Sequence, residues 1–295
     1  MICKLREMKH NIYITQLMYR ILFFVILLQL SGDCIILNAI STAVSMGSCS
    51  VSSKEYFALY ELFESTNGQN WRLVPLSSKR NWTFTLYGNQ SEKNYSDPCF
   101  DDWQGLKCST SCAIQEVILN GRNLEGTIPP SISDLQSLQI LDVNTNKIFG
   151  SIPSSVFSIS TLNSLYLQTN ALTGIIPSPP IGANTNLLNL DLSSNLLYGS
   201  IPNELTRLSN LKYLRIRLNK LTGSVRFLED FPHLEYINVR SNQFSGEFPQ
   251  GISKLKNLSY LVFQYNALTG KLPNDIGFLK NMGLFAISYN QLTGL

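Results

Sequence analysis

The stretch LLNLDLSSNLLYGSIP, residues 187–202, decides the fold because variants of it recur along the chain at a nearly constant interval. Eight copies are present, and they start 23 to 25 residues apart. The copies begin at Ile114, Leu138, Leu162, Leu187, Leu211, Leu234, Leu258 and Met282. Self-similarity at a fixed period of this length predicts a solenoid, in which each copy is one structural unit stacked on its neighbours.

Each copy also has an internal alternation. Apolar residues occupy positions 1, 4 and 6, counted from the first residue of the copy, and each copy has a glycine at position 13, which is followed by an Ile-Pro pair in four copies. The alternation predicts a short strand with its apolar side chains in the core, while positions 3, 5 and 7 face outward. We therefore expect one parallel strand per repeat on the concave side, with loop and short strand on the convex side.

Position 9 is asparagine in seven of the eight copies. These residues are Asn146, Asn170, Asn195, Asn219, Asn242, Asn266 and Asn290. A buried amide can bond the backbone of its own turn and of the neighbouring turn, so we interpret them as structural. The first copy has Arg122 at this position, which indicates a degenerate capping repeat.

The consensus LxxLxLxxNxLxGxIP over residues 114–295 resembles the plant-type leucine-rich repeat of receptor kinase ectodomains, receptor-like proteins and polygalacturonase-inhibiting proteins. The resemblance implies an α/β-type leucine-rich repeat solenoid, a curved right-handed superhelix with a parallel β-sheet on its concave face. It also implies a helical, disulfide-bonded cap at the N-terminal end. It says little about the ligand.

The segment before the repeats, residues 46–113, fits such a cap. Ser52 and Glu55 form a capping box that starts a helix, and Asn67 with Gly68 predicts its end. A terminal repeat cannot bury its own end face, so we expect this helix to cover the first repeat.

The N-terminal residues 1–45 are predicted to be a signal peptide. Basic residues precede the apolar run at 21–30, and AVS at 43–45 is a small-residue cleavage site. A signal anchor is the alternative because residues 18–40 are long enough to span a bilayer, although Asp33 opposes it. Cleavage would change the net charge from +3 to +1, which leaves no overall footprint for nucleic acid. We expect a secreted or cell-surface protein.

Four of the six cysteines lie beyond the signal peptide, and an even set in a secreted chain predicts disulfides. The stretch DPCFDDWQGLKC, residues 97–108, resembles the paired-cysteine cap of the same family. The resemblance implies a bond between Cys99 and Cys108, which leaves Cys49 and Cys112 as the second pair, although three pairings are possible. A metal site at Cys108 and Cys112 is the alternative, opposed by the single histidine of the mature chain.

Four N-x-Ser/Thr motifs also fit an extracellular protein. They are at Asn81, Asn89, Asn94 and Asn257. The first three fall within one polar stretch, which predicts a glycosylated loop.

No pattern in the sequence predicts an enzyme. A nucleophile with its base, a metal cluster and a phosphate loop are all missing from the sequence, and no cofactor is expected. Asp142 and Asp191 share position 5 two repeats apart, and we interpret them as solvated carboxylates of the sheet rather than as a glycosidase pair.

The outward positions change character along the solenoid, from small and polar to tyrosine and arginine. The candidate ligand-binding residues are Tyr213, Arg215, Arg217, Tyr236, Arg240, Tyr260 and Tyr265. Tyrosine and arginine are enriched at binding hot spots. In the simpler alternative, the tyrosines only stabilise the sheet and Arg215 pairs with Asp191.

Arg217 and Arg240 would be neighbouring like charges, which is unfavourable unless an anion lies between them. We therefore expect an anionic ligand group, a peptide carboxylate or an acidic glycan, held by bidentate contacts. The Arg215-x-Arg217 pair also resembles the arginine pair with which some plant peptide-hormone receptors hold a free carboxylate.

These features together predict an extracellular module that binds a peptide, protein or glycan on its concave face, as the ectodomain part of a receptor-like protein. The alternatives are an inhibitor of secreted cell-wall hydrolases and a structural or adhesive surface protein. The chain ends within the eighth copy, at NQLTGL. We therefore expect a fragment of a longer chain, with membrane attachment only through an uncleaved N-terminus or a missing C-terminal part.

Overall fold

A computed structural model describes residues 50–74, 79–84, 96–183 and 186–294. These ranges contain one α-helix, α1 (Ser53–Ser65), and sixteen short strands. The strands are, in chain order, β1 (Leu106–Cys108), β2 (Ile114–Ile118), β3 (Glu125–Gly126), β4 (Ile140–Asp142), β5 (Lys147–Gly150), β6 (Ser164–Tyr166), β7 (Ala171–Leu172), β8 (Asn189–Asp191), β9 (Tyr198–Ser200), β10 (Tyr213–Arg215), β11 (Lys220–Gly223), β12 (Tyr236–Asn238), β13 (Gln243–Glu247), β14 (Tyr260–Val262), β15 (Ala267–Thr269) and β16 (Leu284–Ala286).

Nine strands form the concave sheet, in the order β1-β2-β4-β6-β8-β10-β12-β14-β16. Each repeat contributes one parallel strand, and only β1 runs antiparallel to its neighbour β2. Two smaller sheets, β3-β5-β7 and β9-β11-β13-β15, follow the turns. The predicted leucine-rich repeat solenoid with a parallel sheet is therefore confirmed.

The convex side differs in one respect from the predicted loops and short strands. Short 3-10 helices follow most of the turns, at Pro130–Asp134, Ser154–Ser158, Asn203–Arg207, Arg226–Asp230, Ile252–Lys254 and Ile276–Phe278. Several begin directly after a proline, whose fixed φ favours a helical first turn. From the repeat pattern, these prolines were expected only to hold the chain extended. The 3-10 helices that follow them were therefore not predicted.

The core consists of the repeat's apolar positions. In the fifth repeat Leu211, Leu214 and Ile216 are all fully buried. Because each repeat packs only against its neighbours, every copy must supply such residues to continue the core. Truncating one buried leucine to alanine costs about 2–5 kcal/mol.

The position-9 asparagines form the structural ladder that the sequence predicted, although Asn195 is buried and the other six are only partly buried. The Asn219 amide nitrogen donates to the Leu192 and Ile216 carbonyl oxygens, 2.9 and 3.2 Å away. Its Oδ1 accepts from the Leu197 backbone nitrogen at 3.1 Å. The other ladder residues repeat this arrangement, so each amide joins two successive turns.

Helix α1 begins with the predicted cap and is tied to the first repeat. The Ser52 side chain accepts from the Glu55 backbone nitrogen at 3.2 Å. Glu55 is buried, and its Oε1 also accepts from the Ile114 backbone nitrogen at 3.1 Å, which links the helix to β2. At the other end of α1, the Ser65 and Thr66 carbonyl oxygens accept from backbone nitrogens on either side of Gly126.

Cys99 and Cys108 are bonded in the structure, with Cα atoms 5.7 Å apart, a usual separation for a disulfide. The pairing of Cys112 with Cys49 stays a prediction because Cys49 lies outside the described residues. The same holds for the signal peptide and for the glycosylation sites Asn89 and Asn94. Asn81 and Asn257 are described, and both are exposed. Within the described ranges, no helix has the length and apolar character needed to cross a membrane.

Candidate ligand-binding surface

The predicted binding residues lie on the concave side of the fifth, sixth and seventh repeats. The register of β10, β12 and β14 places Tyr213, Tyr236 and Tyr260 side by side. Arg215 lies on β10 in the next outward position. The structure therefore brings this part of the predicted set together on one face.

These residues form a continuous stack, which we call the first stack (Tyr213, Arg215, Tyr236 and Tyr260). The Tyr236 and Tyr260 rings are face to face, with centroids 4.0 Å apart and planes inclined by 7°. The Arg215 guanidinium lies 4.3 Å from the Tyr236 centroid and 5.5 Å from that of Tyr213. The guanidinium charge is thus stabilised by two ring faces.

The proposed ion pair between Arg215 and Asp191 is not formed. Their Cα atoms are neighbours in the register of β8 and β10, but no ion pair joins them. Asp191 is 9% exposed, and its Oδ1 accepts from the Ser193 backbone nitrogen at 3.0 Å. Arg215 therefore stacks on tyrosines instead.

The aspartate and asparagine side chains at position 5 have a structural role that the sequence did not predict. Asp142 Oδ1 accepts from the Asn144 backbone nitrogen at 3.1 Å, and Asn238 Oδ1 accepts from Arg240 in the same way at 3.2 Å. Asp191 repeats the contact with Ser193. Each side chain thus caps the end of its own strand, and the interpretation of Asp191 as a solvated carboxylate was wrong.

A second stack is formed by Arg240, at position 7 of the sixth repeat, and by Tyr265 and Tyr289, at position 8 of the last two repeats. The tyrosine rings are 4.2 Å apart and inclined by 8°, and the Arg240 guanidinium lies 5.1 Å from the Tyr265 centroid. Both tyrosines are exposed, at 41% and 67%, and both have a φ of 58°. Bulky residues rarely adopt this left-handed conformation. Tyr289 was not among the predicted residues, although its register position matched that of Tyr265.

Glu235 is a further residue that sequence reasoning missed. Its Oε1 accepts from the Lys212 ammonium at 2.8 Å, and its Oε2 accepts from the Tyr213 hydroxyl at 3.1 Å. Lys212 and Glu235 share position 2 in adjacent repeats, which the template treats as variable. The opposite charges of Lys212 and Glu235 at the same position of neighbouring copies could have predicted this ion pair.

The contacts of Glu235 shift several pKa values. The hydrogen bond from Lys212 lowers the pKa of Glu235 against the opposing effect of desolvation, and Tyr213 lowers it further. The same carboxylate raises the pKa of Lys212 and of Tyr213. All three groups therefore keep their neutral-pH charge states, and Tyr213 is held beside Arg215.

Tyr260 has a similar shift in the middle of the surface. The neighbouring Tyr236 hydroxyl, followed by burial, raises the pKa of the Tyr260 phenol, while Arg217 and Arg215 oppose the rise. The phenol therefore stays protonated at neutral pH.

Arg217 and Arg240 lie on adjacent rungs of the sheet, because the Leu218 backbone nitrogen donates to the Arg240 carbonyl oxygen at 2.9 Å. Both side chains are exposed. In the part of the chain that the structure describes, neither guanidinium pairs with a carboxylate. The surface thus presents two positive charges that have no carboxylate partner among the described residues.

Sequence comparisons agree with this architecture. The family described as Leucine Rich Repeat matches residues 186–208 and 233–255. A probable leucine-rich repeat receptor-like protein kinase of Arabidopsis thaliana is 34% identical over 88 residues, which make up 30% of this chain and 9% of that protein.

Solved structures with this fold include receptors and one protein of another class. The PEPR1–AtPEP1 complex gives a TM-score of 0.68 at 30% identity, over 80% of this chain and 31% of that chain. The Arabidopsis receptor kinase HAESA, in complex with the peptide hormone IDA and the co-receptor SERK1, gives 0.54 at 33% identity, over 56% and 28%. A plant ice-binding protein gives 0.56 at 25% identity, over 83% and 88%.

The chain thus has the leucine-rich repeat solenoid fold of plant receptor ectodomains. It spans 9% of the receptor-like kinase, 31% of the PEPR1 chain and 28% of the HAESA chain.

Proposed function

We propose that this chain is an extracellular recognition module that binds a peptide or protein segment with an anionic group on its concave face. The observation that carries the proposal is the position of Arg217 and Arg240 on adjacent rungs, exposed and without a carboxylate partner in the described chain. Two like charges on neighbouring strands destabilise the sheet unless an anion bridges them. A ligand carboxylate would accept bidentate hydrogen bonds from such guanidinium groups.

The tyrosines of the two stacks add apolar contact area near these arginines. Stacked tyrosines are rigid and have few rotatable bonds, so little side-chain entropy is lost when a ligand packs on them. Arg215 is held by two ring faces, those of Tyr213 and Tyr236, whereas Arg240 stacks on one, that of Tyr265, so we assign the ligand charge to Arg217 and Arg240.

The similar receptors support a peptide or protein as the ligand class, since the HAESA structure contains a peptide hormone. By this analogy the chain is the ectodomain part of a receptor-like protein at the cell surface, with residues 1–45 as a signal peptide. The cap disulfides and the glycosylation of Asn81 and Asn257 belong to the same proposal. An acidic glycan and the inhibition of cell-wall hydrolases remain the alternatives.

Ice binding is not supported by the smaller sheet β9-β11-β13-β15. Its register pairs Tyr198 with Lys220 and Glu247 with Thr269. Side chains of such different size and charge do not form the regular array that would match a crystal lattice.

The test passes short random-sequence peptides that end in a free carboxylate over the immobilised protein. The parent protein should retain an acidic subset of these peptides. The double variant Arg217→Ala/Arg240→Ala should not retain that subset. Arg226→Ala is the matched control, because Arg226 is also exposed but begins a 3-10 helix on the convex side. Equal capture by the double variant would refute the proposal. Inhibition of a polygalacturonase by the same protein would favour the inhibitor alternative.

A further inference from the structure

The two tyrosines of the second stack lie closer together than is usual for aromatic pairs. Such pairs mostly have ring centroids about 4.5–7 Å apart and avoid a face-to-face arrangement. The Tyr265 and Tyr289 rings are 4.2 Å apart and inclined by only 8°. Both residues have a φ of 58°, and the Asn266 nitrogen donates to the Tyr289 carbonyl oxygen at 3.1 Å. The backbone ladder therefore projects both rings in the same direction from adjacent rungs.

Both side chains of this pair are also open to solvent. Tyr265 is 41% exposed and Tyr289 is 67% exposed. A surface oxidant can therefore reach the two phenols. A radical formed on one ring would already have its reaction partner beside it, so the coupling of the two rings would be an intramolecular step.

We propose that Tyr265 and Tyr289 are a site of oxidative cross-linking, at which a carbon–carbon bond joins the two rings. The oxidant is hydrogen peroxide, used by an extracellular peroxidase. This inference rests on the proposed function only in placing the chain outside the cell, and it needs no ligand on the concave face.

The chemistry of the cross-link balances with one peroxide. The peroxidase removes one electron and one proton from each phenol, which leaves two phenoxyl radicals. A bond then forms between the two ring carbons next to the hydroxyl-bearing carbons. Each bonded carbon gives up its hydrogen, and each oxygen regains one, so both phenols are restored. The two electrons and two protons that were removed reduce the peroxide to two water molecules.

The other tyrosines that the structure describes lack either the stacking or the exposure. The Tyr236 and Tyr260 rings are 4.0 Å apart and inclined by 7°, but both side chains are only half-exposed. Tyr198 is 54% exposed, but no aromatic ring in the described ranges packs against it. Only Tyr265 and Tyr289 combine a parallel neighbour with open access.

The cross-link would join the seventh and eighth repeats outside the backbone. Its two ends lie 24 positions apart in the sequence. A covalent link restricts the unfolded chain, as a disulfide does, so the oxidised protein should unfold at a higher temperature than the untreated protein. The stability of this end of the binding surface would then respond to peroxide.

The test treats the whole chain with hydrogen peroxide and a peroxidase at low protein concentration, and then isolates the monomer. After removal of N-linked sugar, trypsin separates residues 257–271, which contain Tyr265, from residues 281–295, which contain Tyr289. Mass spectrometry should find these two peptides joined, with two hydrogen atoms fewer than the separate peptides. Tyr289→Phe keeps a ring in the stack and should lose the joined product. Tyr198→Phe is the matched control, because it removes an exposed but unstacked phenol, and it should leave the product unchanged.

Two results would overturn the inference. One is an oxidised monomer in which the two peptides stay separate. The other is a product that joins residues 227–240 to residues 257–271 in place of the expected one, because it would assign the cross-link to Tyr236 and Tyr260.

The outcome is independent of the proposed function. Capture of acidic peptides requires no oxidant, and Arg217→Ala/Arg240→Ala tests it on the untreated protein. Failure of the cross-link would leave that capture unaffected, and failure of capture would leave the joined peptides in place.

Discussion

Tyr236 and Tyr260 stack face to face across adjacent strands, with ring centroids 4.0 Å apart. The Arg215 guanidinium lies 4.3 Å from the same Tyr236 ring. These contacts are made between side chains of the chain itself, so they organise this part of the surface. The cost of ordering side chains on binding is correspondingly small.

Replacing Arg215 by lysine should destabilise the first stack. A guanidinium stacks on aromatic faces through its planar group, whereas an ammonium is a compact and strongly hydrated charge. We expect Arg215→Lys to lower the free energy of unfolding by about 0.5–1 kcal/mol. Urea denaturation measures the change, and Arg226→Lys on the convex side should have no measurable effect. Equal stability of Arg215→Lys and the parent would show that the stack contributes nothing.

The contacts of Glu235 predict that the stability of the fold depends on pH. The pKa of Glu235 is lowered from its usual 4.5, so the carboxylate stabilises the fold at pH values above 4.5. This contribution should disappear as the pH falls through the lowered pKa. We expect Glu235→Gln to be less stable than the parent at neutral pH and to approach it in acid. Thermal unfolding across pH checks this, and a constant difference between the two proteins would contradict it.

Removing one residue of the asparagine ladder should destabilise the protein more than Arg215→Lys does. Asn219→Ala removes one acceptor and several donor contacts and leaves the Leu197 N–H unpaired, while the Leu192 carbonyl keeps its hydrogen bond from Asn195. An unpaired buried N–H costs about 1–3 kcal/mol and a lost hydrogen bond about 0.5–1.5 kcal/mol, so we expect a loss of roughly 2–4 kcal/mol. Hydrogen exchange should show the loss concentrated in the fourth and fifth repeats, because repeats contact only their neighbours. A loss spread evenly over the chain would argue against that explanation.

The close approach of Gly126 to the end of α1 predicts that this glycine is needed to hold the cap on the first repeat. Its φ is 149°, and an added Cβ would lie against the Ser65 carbonyl oxygen. Gly126→Ala should therefore push α1 away from the first repeat and unfold the cap at a lower temperature. Gly121→Ala is the control, because Gly121 also has a positive φ, 65°, but open space around it. Limited proteolysis within residues 50–113 should increase only in the first variant.

The sequence predicted the parts of the molecule that repeat. The strand positions, the asparagine ladder and the adjacency of Tyr213, Tyr236 and Tyr260 all follow from register, because one period fixes every neighbour. The capping box at Ser52 and Glu55 was also predictable, because its signal is local.

Contacts that depend on side-chain conformation were not predictable in this way. Register placed Asp191 beside Arg215, yet the carboxylate is used by its own strand end and the guanidinium turns to Tyr236. The Asp191 carboxylate and the Arg215 guanidinium each had two possible partners. The spacing of residues in the sequence does not show which of the two contacts is more favourable. Glu235 was missed because a repeat template assigns no role to position 2.

The central claim is that Arg217 and Arg240 together hold an anionic ligand group. The most direct measurement is a crystal structure of this chain with a free-carboxylate peptide selected on the parent protein. The account predicts the peptide carboxylate within hydrogen-bond distance of both guanidinium groups. A peptide bound elsewhere, or a carboxylate that contacts neither arginine, would contradict the account.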